Sequence, residues 1–432
     1  MDASPIARLA LPDRFPFLAL FLLALCLPAF SLTALPAGLA AQDLVFTNAN
    51  VVDVAAGTVT MDATVTIADG LIQTVDASGA APAGGVRVVD LGGRYLAPGL
   101  MDAHVHIGSD ADARRALLTG VTTMRSMGAS HYADVGMREL QRDGHATTPE
   151  YLAAGYHVRP QMAEGFFQDH PELGGLDGGG VTGVDAVRAV TRALLSRDVD
   201  FIKTNATERA GLPNTDPRKQ LYGEAEIAVM VEEAQRAGIL GVAAHAHGDE
   251  GGRAAVAAGV RSIEHGTYLS ETTLSMMADR GTFLVPTIAI VRDLTIPGGD
   301  YDNAVLNIRG RHMLPRVQQM AANAHRLGVK IVAATDTGYG PNSTTTLAHE
   351  LLELVTVGLT PTEAMRTATI NAAELFGIQD RVGRVEPGLE ADLIVVEHNP
   401  LMQIGTVQDV LMVVSDGEVI VQRGDWAGRP VS

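Results

Sequence analysis

The chain has 432 residues, enough for one large domain or two of ordinary size. Hydrophobic residues make up 47% and aromatics only 4%, with 46 glycines, so the core must be built mainly from Ala, Val, Leu and Ile, as suits an α/β protein with many tight turns. With 50 acidic against 32 basic residues, the formal charge of −18 excludes nucleic acid and anionic membrane surfaces as general partners, while a local pocket can still take an anionic small molecule.

The first 41 residues read as a secretory signal peptide. Arg8 and Arg14 precede the apolar run "FPFLALFLLALCLPAFSLTALPAGLAA" (15–41), which closes in small residues before Gln42. A membrane anchor is the competing reading, because the run is nearly long enough to span a bilayer. Pro28 and Pro36 interrupt it, so cleavage near Ala41 is expected, with no stable membrane anchor afterwards and a periplasmic or secreted product. The single cysteine, Cys26, lies inside the run, and Leu25 before it does not fit a lipoprotein box. A mature chain without thiols must hold any metal through His, Asp, Glu or a lysine-derived oxygen.

From residue 43 to about 96 the chain runs in short alternating strands, "DLVFTNANVVDV", "TVTIADGLIQTVD" and "VRVVDLGGRYLAPG". The C-terminus returns to that style with "ADLIVVEHN" (391–399) and "VLMVVSDGEVIVQRG" (410–424). Asp69-Gly70 and Asp416-Gly417 sit between apolar alternations and predict hairpin turns. Isolated hairpins are marginal in water, so a small β-sandwich assembled from residues 42–97 and 378–432 is expected.

Between them, residues 98–377 alternate strand-like and helical patterns. The apolar runs are "GLMDAHVHI", "VTTMRSMG", "EYLAAGYHV", "DFIKTNA", "GVAAHAHG", "SIEHGTYL", "TFLVPTIAI" and "KIVAATDTG". Helical segments such as "DAVRAVTRALLSRD", "EAEIAVMVEEAQRAG" and "PRVQQMAANAHRLG" lie between them, most ending at a glycine. This rhythm predicts an α/β fold with a (β/α)8 TIM barrel, and an open doubly wound sheet is the alternative. No GxGxxG follows the first strand, so nothing supports a dinucleotide site.

In a barrel the chemistry sits at the C-terminal ends of the strands. There the chain offers His104 and His106, then Lys203, His245, His247, His265 and Asp336. Each alone has an ordinary structural explanation: a hydrogen-bonded core histidine, a paired lysine, a helix-capping aspartate. Together, imidazoles and carboxylates recurring at one level of successive strands point to zinc-like ions. An ammonium beside a cation cluster would be repelled, so Lys203 belongs there only as a neutral amine. Such an amine can take up carbon dioxide, and the resulting N6-carboxylysine can bridge two metal ions.

The motifs "PGLMDAHVHI", "FIKT", "AAHAHG", "SIEHG" and "ATDTG", followed by "TATINAAELFG" and "GRVEPGLEADLIVV", resemble the amidohydrolase superfamily. The likeness is to its imidazolonepropionase-like and Xaa-Pro dipeptidase-like branch with a carboxylated lysine, ochratoxin-type amidohydrolases included. The resemblance runs from about residue 43 to 424 and implies a barrel beside a β-sandwich. It implies that His104, His106 and Asp336 hold one Zn2+ or similar ion, His245 and His265 a second, and carbamylated Lys203 bridges them. His247 then stands beside the metals or touches substrate. Asp336 is the expected proton carrier for a metal-activated water, and the lysine argues against deamination.

After the third strand, "AAGYHVRPQMAEGFFQDHPELGGLDGGG" departs from the family's usual glycine- and threonine-rich text. His157 is expected to polarise the scissile carbonyl, and Tyr156 or Arg159 to grip a substrate carboxylate. Tyr268 and "VPTIAI" suggest an apolar wall, and Phe166 and Phe167 an aromatic substrate. The expected activity is hydrolysis of a dipeptide or N-acyl amino acid, a small-molecule amide. The alternatives are cyclic amides or lactones, or a metal-bearing binding protein without catalysis. The resemblance also implies a homo-oligomer.

Overall fold

The computed structural model describes residues 43–78, 86–163 and 165–423, so the expected signal peptide lies outside the described residues. Five strands come first: β1 (Leu44–Asp53), β2 (Thr58–Ala68), β3 (Leu71–Asp76), β4 (Arg87–Asp90) and β5 (Tyr95–Pro98). Eight short strands follow, β6 (Leu100–Val105), β7 (Val121–Ser126), β8 (Glu150–Ala153), β9 (His157–Val158), β10 (Ile202–Asn205), β11 (Val242–Ala246), β12 (Ser262–His265) and β13 (Phe283–Val285). The chain ends in β14 (Leu393–Val396), β15 (Met412–Ser415) and β16 (Glu418–Gln422).

Strands from both ends of the chain share one eight-stranded sheet, joined where β5 runs antiparallel to β14 with Pro98 opposite Leu393. Their apolar residues, among them Phe46, Val65, Ile72, Leu393 and Met412, form one core. Asp69-Gly70 and Asp416-Gly417 turn the hairpins β2–β3 and β15–β16, with both residues of each pair at positive φ. That is the geometry a two-residue turn needs to match strand twist.

The middle strands are all parallel and nearly all buried, as a sheet covered on both faces requires. They group as β6-β7-β8 and β9-β10-β11-β12-β13. Only residues 154–156 separate β8 from β9. At the other margin residues 330–337 bridge β13 and β6: Leu284 N donates to Lys330 O at 2.9 Å, Ala103 N to Ala333 O at 3.2 Å, and His106 N to Thr337 O at 2.9 Å. The eighth strand expected over "KIVAATDTG" is present only as these bridges.

Most expected helices form, Glu224–Ala237 for example stopping at Gly238 with φ 73°. Beyond the divided third strand and the bridged eighth, two more segments differ from the sequence reading. "TFLVPTIAI" is strand only to Val285; Pro286 ends pairing, Thr287 takes φ 50°, and Ile288–Asp293 is a buried helix. Burial overrides the strand preference of its Ile and Val residues there. The helix expected to begin at Pro315 instead spans Ala304–Arg326, because Asn303 caps it by accepting from Val305 N and Leu306 N. Among the described residues no helix is long and apolar enough to cross a membrane.

Candidate metal centre

The site is assembled where β6, β10, β11 and β12 end, together with the 330–337 segment. His104 and His106 leave β6 with ring centroids 5.3 Å apart. Asp336 Oδ1 lies 3.2 Å from His106 Nε2 and 3.4 Å from His104 Nε2. These three residues can offer ligand atoms all within 4.8 Å of one another. His245, His247 and His265 form a second such group. His247 stacks on His265 at 4.7 Å with 14° between the rings, and His245 stands edge-on to both at 4.8 and 4.7 Å.

The sequence reading set His247 apart from the ligands, and the structure brings it in. Strand alternation stops at Ala246, so His247 lies on the turn that follows, with its backbone N–H donating to Thr207 Oγ1 at 3.0 Å. Asp336 Oδ2 is 3.9 Å from His265 Nδ1, which places the carboxylate between the two groups. Lys203 lines the same cavity, about 580 Å³ including the part open to solvent.

Lys203 is 1% exposed, and its Nζ is buried with no hydrogen-bond partner. Burial lowers its pKa to about 8, with Glu264 and Asp336 opposing the shift. An amine this orphaned among imidazoles is unexplained by the protein alone. Burial also pushes the pKa values of His104, His245 and His265 well down, and that of His247 to about 3. Neutral imidazoles keep a lone pair for a metal, so the donor set fits divalent ions.

Several residues that hold the site escaped the sequence reading. Glu264, fully buried, sets Oε2 2.9 Å from His104 Nδ1 and accepts from Arg125 at 2.9 Å through Oε1. A carboxylate on the far nitrogen of a ligand histidine fixes its tautomer and direction. Strand alternation would send His265 away from Glu264's side. His265 reaches the cavity because its φ is 74°, a left-handed conformation costing on the order of 1–3 kcal/mol. Asp336 is also left-handed, at φ 56°. Asp102, buried beneath it, accepts from Thr335 Oγ1 at 2.7 Å and from Tyr339 at 2.9 Å, tying β6 to the 330–337 segment. The available signal was a charged residue inside an apolar strand: Glu264 in "SIEHG" and Asp102 in "LMDAHV".

His157 also lines the cavity, its Nδ1 3.0 Å from Asn205 Oδ1 and its pKa pushed well down by burial. Gly128 makes room for it, since a Cβ there would lie 2.7 Å from the His157 ring. Arg159 lies in an adjoining pocket with His106, His157 and Arg209. Tyr156 lines that pocket too, and its hydroxyl donates to Asp169 Oδ2 at 2.6 Å and accepts from His131 N at 2.7 Å. Phe166 is buried edge-on against Tyr156 and Phe167, which leaves it as loop core rather than a substrate wall. Tyr268 lines a separate groove with Arg218, Arg309 and His312. The expected apolar wall comes from Ile290, Val291 and Leu294 of the unanticipated helix and its end.

Known proteins share this arrangement of sequence and fold. Ochratoxinase of Aspergillus niger is 27% identical over 356 residues, covering 73% of this chain and 72% of that protein. Its crystal structure aligns with a TM-score of 0.73 at 25% identity, over 89% of this chain and 98% of that one. Imidazolonepropionase of Geobacillus kaustophilus is 25% identical over 389 residues, covering 78% of this chain and 84% of that protein. A Xaa-Pro dipeptidase with methionine bound in its active site has the same fold, with a TM-score of 0.76 at 24% identity over 88% of this chain and 100% of that one. The amidohydrolase family pattern matches residues 95–420, well over half of the sequence, and the chain therefore belongs to the amidohydrolase family, metal-dependent hydrolases of amide bonds.

Proposed function

We propose that this protein is an exported hydrolase that frees a C-terminal amino acid from a dipeptide or an N-acyl amino acid. The observation that carries the reading is Lys203, an orphaned buried amine lining the same cavity as both ligand groups. As a carbamate it would share two zinc-type ions, one with His104, His106 and Asp336, the other with His245, His265 or His247. Such ions lower the pKa of a water from ~16 to about 7 and polarise a carbonyl.

The protein's own groups do the rest. Asp336 stands between the two groups, where it can take the proton of the attacking water and return it to the leaving amine. The neutral His157 donates to the carbonyl oxygen through Nε2 once the Asn205 amide turns its NH2 toward Nδ1. Glu264 keeps His104 directed, and Ile290, Val291 and Leu294 limit water at the cavity wall. We read the parallel strands and their bridges as one (β/α)8 barrel over 98–377 beside a sandwich from 42–97 and 378–432. Export rests on the pattern of residues 1–41.

A screen of metal-loaded protein against dipeptides and N-acyl amino acids, aromatic acyl groups included, tests this. Release of a free amino acid is expected, with Asp336→Asn slower by about 10²–10⁴-fold. Turnover of lactones or cyclic amides alone, or of nothing, overturns the reading.

A further inference from the structure

Two guanidinium groups, those of Arg159 and Arg209, line the pocket beside the metal cavity, and among the described residues no carboxylate forms an ion pair with either. Arg159 follows β9 directly, and Arg209 lies four residues beyond the end of β10. Both line the pocket with His106, Gly128 and His157, and Arg209 lines the metal cavity as well, so the two spaces meet at its side chain. The Nε of Arg159 is buried without a hydrogen-bond partner. Burial lowers the Arg159 pKa, and the positive charge of Arg209 lowers it further.

This pairing is out of keeping with the rest of the chain, whose acids outnumber its bases. Arg138 is buried too, and it is met by Glu139, Asp198 and Asp200. Arg188, Arg192 and Arg236 converge on the single carboxylate of Glu233. Among the described residues no carboxylate forms an ion pair with Arg159 or Arg209. Two like charges held together in a half-buried pocket are costly unless a ligand anion completes them. Planar guanidinium forks match a carboxylate, which can bridge both. Tyr156, the other residue expected to grip a carboxylate, has its hydroxyl committed to Asp169 and His131.

We propose that Arg159 and Arg209 form an anion subsite that takes the free carboxylate of the amino acid being released. The assignment rests on the amide-hydrolase reading and narrows it: the carboxylate stands α to the scissile nitrogen. The enzyme then acts only at a free C-terminus and rejects amidated ends.

Binding can be measured without turnover. Metal-loaded protein is titrated by calorimetry with 3-phenylpropanoate and 4-methylpentanoate, and with the matching primary alcohols. The carboxylates should bind at least about tenfold tighter than the alcohols, as a charge-assisted pair of bonds requires. That preference should fall to within about threefold in Arg159→Gln and Arg209→Gln. It should partly return in Arg209→Lys and persist in Arg253→Gln, an exposed helical control. Unfolding midpoints of all variants establish that they are folded. Equal binding of acid and alcohol by the parent, or a preference retained by both arginine variants because the metals alone hold the carboxylate, overturns the subsite. Absence of turnover on amides would overturn the hydrolase reading while leaving this preference standing.

Discussion

Replacing Glu264 with glutamine separates charge from shape at the point where β12 supports His104. The carboxylate is fully buried, with Oε2 2.9 Å from His104 Nδ1, and Oε1 2.9 Å from Arg125 Nη2 and 2.5 Å from Ser262 Oγ. Glutamine preserves one oxygen for the guanidinium but removes its anionic partner, and the NH2 it turns toward His104 Nδ1 requires that nitrogen to accept, the tautomer that leaves Nε2 protonated and unable to bind a metal. A hydrogen bond to a charged group contributes roughly 1.5–3 kcal/mol, and a buried cation stripped of its partner costs about 3–5 kcal/mol. The metal-free variant should therefore lose about 3 kcal/mol or more of stability, and metal affinity should fall about 10–100-fold. Urea unfolding of the metal-free protein reads the first quantity, and chelator competition reads the second. The cycle Glu264→Leu with Arg125→Met removes both charges, and its coupling should exceed about 1.5 kcal/mol. Parental metal affinity in Glu264→Gln, or additivity within about 0.5 kcal/mol in the cycle, refutes the reasoning.

Lys203→Ala should lower the metal content from two ions per chain to at most one, measured by elemental analysis; two retained ions would rule out the lysine bridge. Tyr156→Phe removes the hydroxyl between Asp169 and His131, so it should cost about 1–3 kcal/mol of stability while leaving KM for substrate within a factor of about three. A tenfold rise in KM, about 1.4 kcal/mol, would return Tyr156 to the substrate. Asp392 has its pKa raised from 3.8 to about 8, first by burial and then by Asp416. The folded state then keeps a proton that the unfolded state loses above pH 3.8, so this contribution is complete below that value and is lost as pH rises toward 8. Unfolding midpoints should fall across that window by up to about 1.4 kcal/mol per pH unit from this group, and Asp392→Asn should flatten the slope. An unchanged slope in Asp392→Asn would remove Asp392 as the cause.

The candidate ligand positions were legible because metal chemistry allows few residue types and parallel strands present them at one level. His104, His106, His265 and Asp336 needed only strand ends to be located, and turn chemistry at Asp69-Gly70 and Asp416-Gly417 located two hairpins. Glu264 and Asp102 were visible as charges in apolar strands, yet nothing in the sequence says that one holds His104 and the other the 330–337 segment. Arg209 gave no signal, since an arginine in a loop is ordinarily paired.

The sequence by itself determined which chemistry the chain can perform: local periodicity sets the strands, and the choice of side chains sets the donors. Tertiary structure alone decided that Glu264 holds His104 Nδ1 and that, among the described residues, Arg159 and Arg209 have no carboxylate partner. It turned "TIAI" into a helix against the cavity and Tyr156 into a loop brace, and it held His265 in a left-handed turn that sequence preference disfavours. Those outcomes depend on burial and on partners up to hundreds of residues away in the chain, as Asp102 and Thr335 are, and no local pattern carries them.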